Sequence, residues 1–297
     1  MMAKNRQFQV ASRCELLPYL TGLPLGLSRK QAKDLLRFRA VTVRGKATVR
    51  HDTELQPGDV VTIAARKPVG DGALERHGLE IVHLDDAVVV VDKPPGLLSM
   101  GSEREKEKTA YRILNTHLKT LMKTPAQQVF IVHRLDRETS GLMMFARNES
   151  VQAALQRNWK GVVKKYLAIV EGVPAQMQGT LKDRLVENRS LMVRRVEEGG
   201  EVAITHYRVL RAQGERALLE ITLETGRRNQ IRVQLAALGH PVAGDRKYGA
   251  KTDPARRLAL HACELGFRHP VSGAPMEFHS ALPPRLRALI EGRAPRQ

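Results

Sequence analysis

The sequence predicts an α+β fold: a mixed, mostly antiparallel β-sheet flanked by helices, preceded by a small N-terminal α/β domain. Three observations carry that expectation. Short runs rich in apolar and β-branched residues recur from residue 80 onward, at 88–91, 165–170, 217–223 and 258–267. Helical patterns are scattered among them rather than following each strand in turn. A stretch at 67–79 with Pro68, Gly70, Gly72 and Gly78 separates the first 66 residues from the rest. A chain of 297 residues that is 42% hydrophobic has room for two units, each with a core. The domains are therefore expected at 1–66 and 80–292, with 67–79 as a linker.

In the first unit, residues 27–36 read as a helix with Ser28 as its N-cap. Arg29, Lys30, Lys33 and Arg37 recur at helical spacing and share roughly one face. A strand at 40–43, a turn at Arg44-Gly45-Lys46, a turn at Gln56-Pro57-Gly58-Asp59 and a strand at 60–63 follow. Twelve Lys/Arg less five Asp/Glu give residues 1–66 a net charge of +7. In the second unit, 88–91 reads as a buried strand, 109–123 and 150–160 as helices, and 165–170 and 217–223 as strands. Residues 229–238 read as a helix closed by Gly239, and 258–267 as a strand.

The formal net charge of +18 points to a polyanionic partner, nucleic acid before membrane. No long apolar span, signal peptide or basic amphipathic anchor supports a membrane. Aromatic residues are only 4% of the chain, which argues against a broad base-stacking platform. The two cysteines, Cys14 and Cys263, lie far apart and are expected as thiols, consistent with a reducing cytoplasm. His261-x-Cys263 is an isolated pair, and neither Cys-x-x-Cys nor His-Glu-x-x-His spacing occurs, so no metal site is expected. No Gly-x-x-x-x-Gly-Lys-Ser/Thr loop occurs either, which disfavours a nucleotide hydrolase.

The densest chemistry lies at His133-Arg134-Leu135-Asp136-Arg137-Glu138-Thr139-Ser140-Gly141. Apolar runs at 129–132 and 142–145 flank it, so it reads as a sharp loop between strands. The loop presents one carboxylate, Asp136, between the guanidiniums of Arg134 and Arg137. An ionised, positioned aspartate can serve as a covalent nucleophile. A surface salt-bridge cluster on a hairpin is the plain alternative.

Three separated blocks resemble the RluA-type pseudouridine synthase family. They are Asp92-Lys93-Pro94-Pro95-Gly96-Leu97, the 133–141 loop, and Thr225-Gly226-Arg227-Arg228-Asn229-Gln230-Ile231-Arg232 with Gly239-His240-Pro241 and Gly244-Asp245. Lys165-Tyr166 with Gly172, and His261-Ala262 to His269-Pro270, complete the series. The resemblance implies a cofactor-free isomerase that converts uridine to pseudouridine in structured RNA. It implies that Asp136 is catalytic, that Tyr166 packs on the target base and handles a proton, and that Arg232 pairs with the aspartate. Arg134 would help to hold the base out of the helix. Two positions depart from the family, which commonly has His where Asn229 and Gln234 stand. The first unit resembles the small RNA-binding module of ribosomal protein S-four, with Arg39-Ala40 where that module usually has Gly. Its expected RNA contacts are Arg29, Lys30, Lys33, Arg37 and Lys46. Ribosomal RNA is the expected substrate, transfer RNA the alternative, and a non-catalytic RNA-binding protein the rival class. A cytoplasmic monomer is expected.

Overall fold

The computed structural model describes residues 6–25, 29–37, 40–48, 50–63, 73–101, 105, 107–122, 128–188 and 190–291. Ser28, Arg39 and residues 67–72 lie outside the described residues, as do the side chains of Lys30, Arg37 and Lys46. The chain divides into two compact units, 1–73 with 120–123 and 74–119 with 124–297. No helix among the described residues is long and apolar enough to cross a membrane.

The N-terminal unit contains β1 (Arg6–Gln9), β2 (Cys14–Glu15), α1 (Leu16–Gly22), α2 (Arg29–Arg37), β3 (Val41–Val43), β4 (Lys46–Ala47), β5 (Glu54–Leu55) and β6 (Val60–Ile63). Four strands form an antiparallel sheet in the order β1-β6-β3-β4, and β2 pairs with β5. Ala32 and Leu36, four residues apart on α2, pack with Leu16, Leu20, Val41 and Val61. Arg29 and Lys33 are exposed. Arg44 and Gly45, at φ 52° and 76°, make the β3–β4 turn, where left-handed geometry matches strand twist. Arg44 then ties the turn to Asp59 through two hydrogen bonds of 2.6 and 2.7 Å.

The chain continues with α3 (Ala73–Arg76), β7 (Glu80–Leu84), β8 (Val88–Lys93), α4 (Ala110–Met122), β9 (Phe130–Ile131), β10 (Ser140–Ala146) and α5 (Glu149–Arg157), all in the second unit but for Ala73 and the last turn of α4. It continues with β11 (Val163–Glu171), β12 (Gln178–Glu187), β13 (Val193–Val196), β14 (Glu201–Gln213) and β15 (Arg216–Leu223). It ends with α6 (Gln230–Ala237), β16 (Leu260–Arg268), β17 (Pro275–His279) and α7 (Pro284–Glu291). Nine strands run in the order β13-β12-β14-β15-β11-β16-β10-β8-β7, with β17 on β16 and β9 on β10. The mixed, mostly antiparallel sheet is thus present. Its parallel strand pair is β10 with β16, at Ser140↔His261 and Gly141↔Ala262.

Burial explains the two kinds of strand. β8 and β10 are covered on both faces, so they read as unbroken apolar runs. β15 alternates buried and part-exposed positions along its whole length. Strands β12, β13 and β14 had no counterpart among the sequence expectations. Their inward residues, such as Leu185, Val193 and Ala203, are few and diluted by Arg, Lys, Glu and Thr. Their pairing with β15 and one another supplies the order that local pattern lacks. The helix expected at 150–160 is α5 followed by a separate 3₁₀ turn at Trp159–Gly161, and Asn148 caps α5 by accepting from Val151 N at 2.8 Å.

The parallel junction needs a glycine. Gly141 sits at φ +113°, and a Cβ there would meet Ala262 O at 2.2 Å and Ala262 N at 2.6 Å. Backbone is packed against backbone, with no flexible side chain to yield. Gly141→Ala should therefore cost about 3 kcal/mol or more and lower Tm by roughly 5–10 °C, measured by thermal unfolding in circular dichroism.

Candidate active site

The 133–141 loop spans the gap between β9 and β10, and its backbone is clamped on both sides of Asp136. Before the aspartate, Ser99 Oγ donates to Leu135 O at 2.6 Å and accepts from Leu135 N at 3.0 Å. After it, Arg137 O accepts from Gly96 N at 2.9 Å and from Lys93 Nζ at 3.1 Å. Arg137 Nε returns a hydrogen bond to Gly96 O at 3.0 Å. Lys93 is fully buried and also donates to Pro94 O and Leu97 O, so its three N–H donors meet three carbonyls. Burial pulls its pKa down to about 7, against the charges of Glu138 and Asp136. The first motif block is thus the seat of the second.

The carboxylate's ion partner comes from elsewhere in the chain. Arg137 is committed to Gly96, and Arg134 is exposed along the rim of the cleft. Arg232 of α6 reaches Asp136 instead, with Nη1 to Oδ2 at 3.4 Å. Sequence adjacency does not fix which way each side chain leaves a clamped backbone, and Asp136 faces α6 rather than its loop neighbours. The stronger grip on Arg232 is that of Asp245, which accepts from Nε at 2.6 Å and Nη2 at 2.7 Å. Asp245 is almost wholly buried and Arg232 nearly so. Burial works against the Arg232 charge, yet Asp245 first and Asp136 second hold its pKa above the usual value. The guanidinium also lies over the Tyr248 ring, 5.1 Å from its centroid.

Helix α6 is locked in place by buried amides. Gln230 donates to Ile204 O and Thr205 Oγ1, and accepts from Thr225 Oγ1 and Arg227 N. Gln234 accepts from Thr205 Oγ1 at 2.7 Å and donates to Asp183 Oδ2 at 2.7 Å. The departure at Gln234 therefore serves packing against β12 and β14. Asn229 precedes α6 at φ 51° and faces Arg232.

Tyr166 enters from β11, beside a register shift that leaves Cys263 of β16 unpaired between Glu264 and Ala262. Such a bulge re-aims neighbouring side chains. Burial first, and the Asp136 charge second, push the Tyr166 pKa well above its ordinary value, so the hydroxyl stays protonated. Tyr166, Asp136, Arg232 and Arg134 all line one open cleft, together with Leu135, Leu223, Ile231 and Leu260. The basic residues of the first unit belong to the other compact body, where Arg29 and Lys33 are exposed. Residue-by-residue reading missed Asp245, Tyr248 and Ser99. Asp245 lay in a quoted motif without a role, and Ser99 carried no local signal at all.

Under the loop runs a directional chain. Arg257 Nη2 donates to Ser140 Oγ at 2.7 Å, Ser140 Oγ meets His261 Nδ1 at 2.9 Å, and His261 Nε2 meets Ser280 Oγ at 3.0 Å. Ser280 Oγ donates to Asp92. With a guanidinium at one end and a carboxylate at the other, each hydroxyl passes its proton onward. His261 then carries its proton on Nε2 and accepts on Nδ1. Burial lowers the His261 pKa to about 4. At the loop's other end His133 Nε2 accepts from Met144 N at 2.9 Å, and burial lowers its pKa to about 3.

A family model described as RNA pseudouridylate synthase matches residues 87–237. The chain is 37% identical over 272 residues to the uncharacterized RNA pseudouridine synthase YlyB of Bacillus subtilis (strain 168), covering 89% of each. It is 34% identical to ribosomal large subunit pseudouridine synthase D of Vibrio cholerae, over 86% of this chain and 84% of that one. The solved structure of human RNA pseudouridylate synthase domain containing 4 aligns with TM-score 0.59 and 28% identity, over 72% of this chain and 94% of that one. The chain belongs to the RNA pseudouridylate synthase family. It is an isomerase: an RNA pseudouridine synthase.

The two histidines with lowered pKa values, His261 and His133, make the fold acid-sensitive. The unfolded chain takes up their protons near pH 6.5, whereas the folded chain resists until about 4 and 3. Their contribution is complete above pH 6.5 and is lost progressively as pH falls below it. Tm should decline between pH 6.5 and about 5, above most carboxylate titration. His133→Gln, which keeps an acceptor for Met144 N but cannot protonate, should flatten that decline in calorimetry.

Proposed function

We propose that this enzyme isomerises specific uridines in structured ribosomal RNA, with Asp136 as the catalytic group. The observation that carries the reading is the Asp136–Arg232 pair within a cleft that Tyr166 also lines. Isomerisation breaks the bond from ribose to nitrogen 1 of uracil and remakes it at carbon 5. A charged Asp136 can add to the anomeric carbon, or take the proton from ribose carbon 2 to give a glycal. Arg232 keeps the carboxylate aimed in either route. Tyr166, held protonated, serves by packing on the base and donating a hydrogen bond, so removal of the carbon 5 proton falls to another acceptor. Arg134 on the cleft rim helps to hold the uridine out of its stack, which costs a few kcal/mol. Phosphate contacts from the net +18 surface offset that cost.

Ribosomal RNA is favoured over transfer RNA by the likeness to ribosomal large subunit pseudouridine synthase D. The N-terminal unit adds Arg29, Lys30, Lys33, Arg37 and Lys46 as RNA contacts, acting as a separate RNA-binding module. The protein works as a cytoplasmic monomer without metal or cofactor. Mapping pseudouridine across total RNA with and without the protein identifies the target. Asp136→Asn should reduce tritium release from carbon-5-labelled uridine in RNA by roughly three orders of magnitude. RNA affinity should change less than about twofold, because phosphate contacts carry it. Full tritium release from that variant would refute the catalytic assignment.

A further inference from the structure

We infer that Asn229 is a positioning residue that, together with Tyr248, sets the plane of the Arg232 guanidinium so that one Nη1 proton points at Asp136. The inference rests on the catalytic reading of Asp136 given above. Asn229 immediately precedes α6, the place where an Asn side chain ordinarily accepts from the first free N–H groups of a helix. It makes no such bond. Its backbone is held at φ 51°, in the left-handed region that Asn and His tolerate best among residues with a Cβ. A local outlier that forgoes a cap points to a demand elsewhere.

That demand is visible at both ends of the amide. Asn229 Oδ1 accepts from Arg232 Nη1 at 3.1 Å, and Asn229 Nδ2 donates to Tyr248 Oη at 2.9 Å. Tyr248 Oη also accepts from Val193 N at 3.3 Å, which ties the ring to the sheet edge. The same ring lies against the Arg232 guanidinium. Arg232 spends Nε and Nη2 on Asp245. Its Nη1 carries two protons, and one goes to Asn229 while the other reaches Asp136 Oδ2. Asp245 alone fixes one edge of the fork and leaves it free to tilt about that edge. Asn229 and the Tyr248 face remove the tilt. The amide is neutral, so it orients Arg232 without competing for its charge, as a third carboxylate would.

The test uses the full-length enzyme, with single-turnover and steady-state kinetics on the RNA identified by mapping. Asn229→Gly removes the side chain while suiting the positive φ, so folding is preserved. It should lower kcat about 10- to 100-fold through misaimed Arg232 and leave KM within about twofold. Tyr248→Phe should lower kcat less, since the ring face remains. The double variant should be no slower than Asn229→Gly, because both substitutions break one link. Asn229→His, whose two ring nitrogens supply one acceptor and one donor, should restore most of the lost kcat. Unchanged kcat in Asn229→Gly, a loss confined to KM, or fully additive effects would overturn the inference. Asp136→Asn is run in parallel. If that variant is inactive while Asn229→Gly keeps full kcat, only the positioning role fails. If Asp136→Asn turns over normally, the catalytic reading beneath it fails.

Discussion

Arg232 faces two carboxylates, and the difference in how it meets them organises the site. Asp245 takes it as a buried, two-point partner and so neutralises the cost of placing a guanidinium there. Asp136 meets it at one longer contact and remains more exposed, open to the cleft. One acid is spent on holding the cation, and the other is left free for chemistry. Were the two contacts equal, Arg232 would bridge them and the reactive carboxylate would be tied down.

The same division of labour runs through the loop. Lys93, Gly96 and Ser99 grip the backbone at Leu135 and Arg137, leaving the Asp136 side chain as the free element between fixed points. The Gly141–Ala262 contact draws the loop's end onto β16, and the Arg257-to-Asp92 chain runs beneath that junction. These contacts are buried and mostly backbone-directed, so their specificity lies in geometry more than in side-chain identity. The sheet's parallel strand pair falls where the loop must turn back, and the turn is possible because Gly141 has no Cβ.

Tyr166 shows how the environment sets a role. Desolvation and the neighbouring Asp136 charge both oppose ionisation, so its hydroxyl is a donor and its ring a surface. The site thus pairs a carboxylate that is kept accessible with a phenol that is kept neutral.

Much of this was legible in the chain. The fully buried strands β8 and β10, the helices α4 and α6, and the Asp136 loop announce themselves through apolar runs, periodicity and turn residues, all of which are local. The +18 charge and the ordered motif blocks pointed to RNA and to the reaction. Strands β12 to β14 did not announce themselves, because half-exposed strands owe their order to partners across the sheet. The loop's own residues did not say which arginine would meet Asp136; Arg232 was named through the motif resemblance. The direction in which Asp136 leaves the loop depends on contacts 36 to 121 residues apart in sequence, from Ser99–Leu135 to Ser140–His261. Composition and motif order determined the fold class and the chemistry; only packing decided which side chains face one another, because facing is a property of the folded backbone.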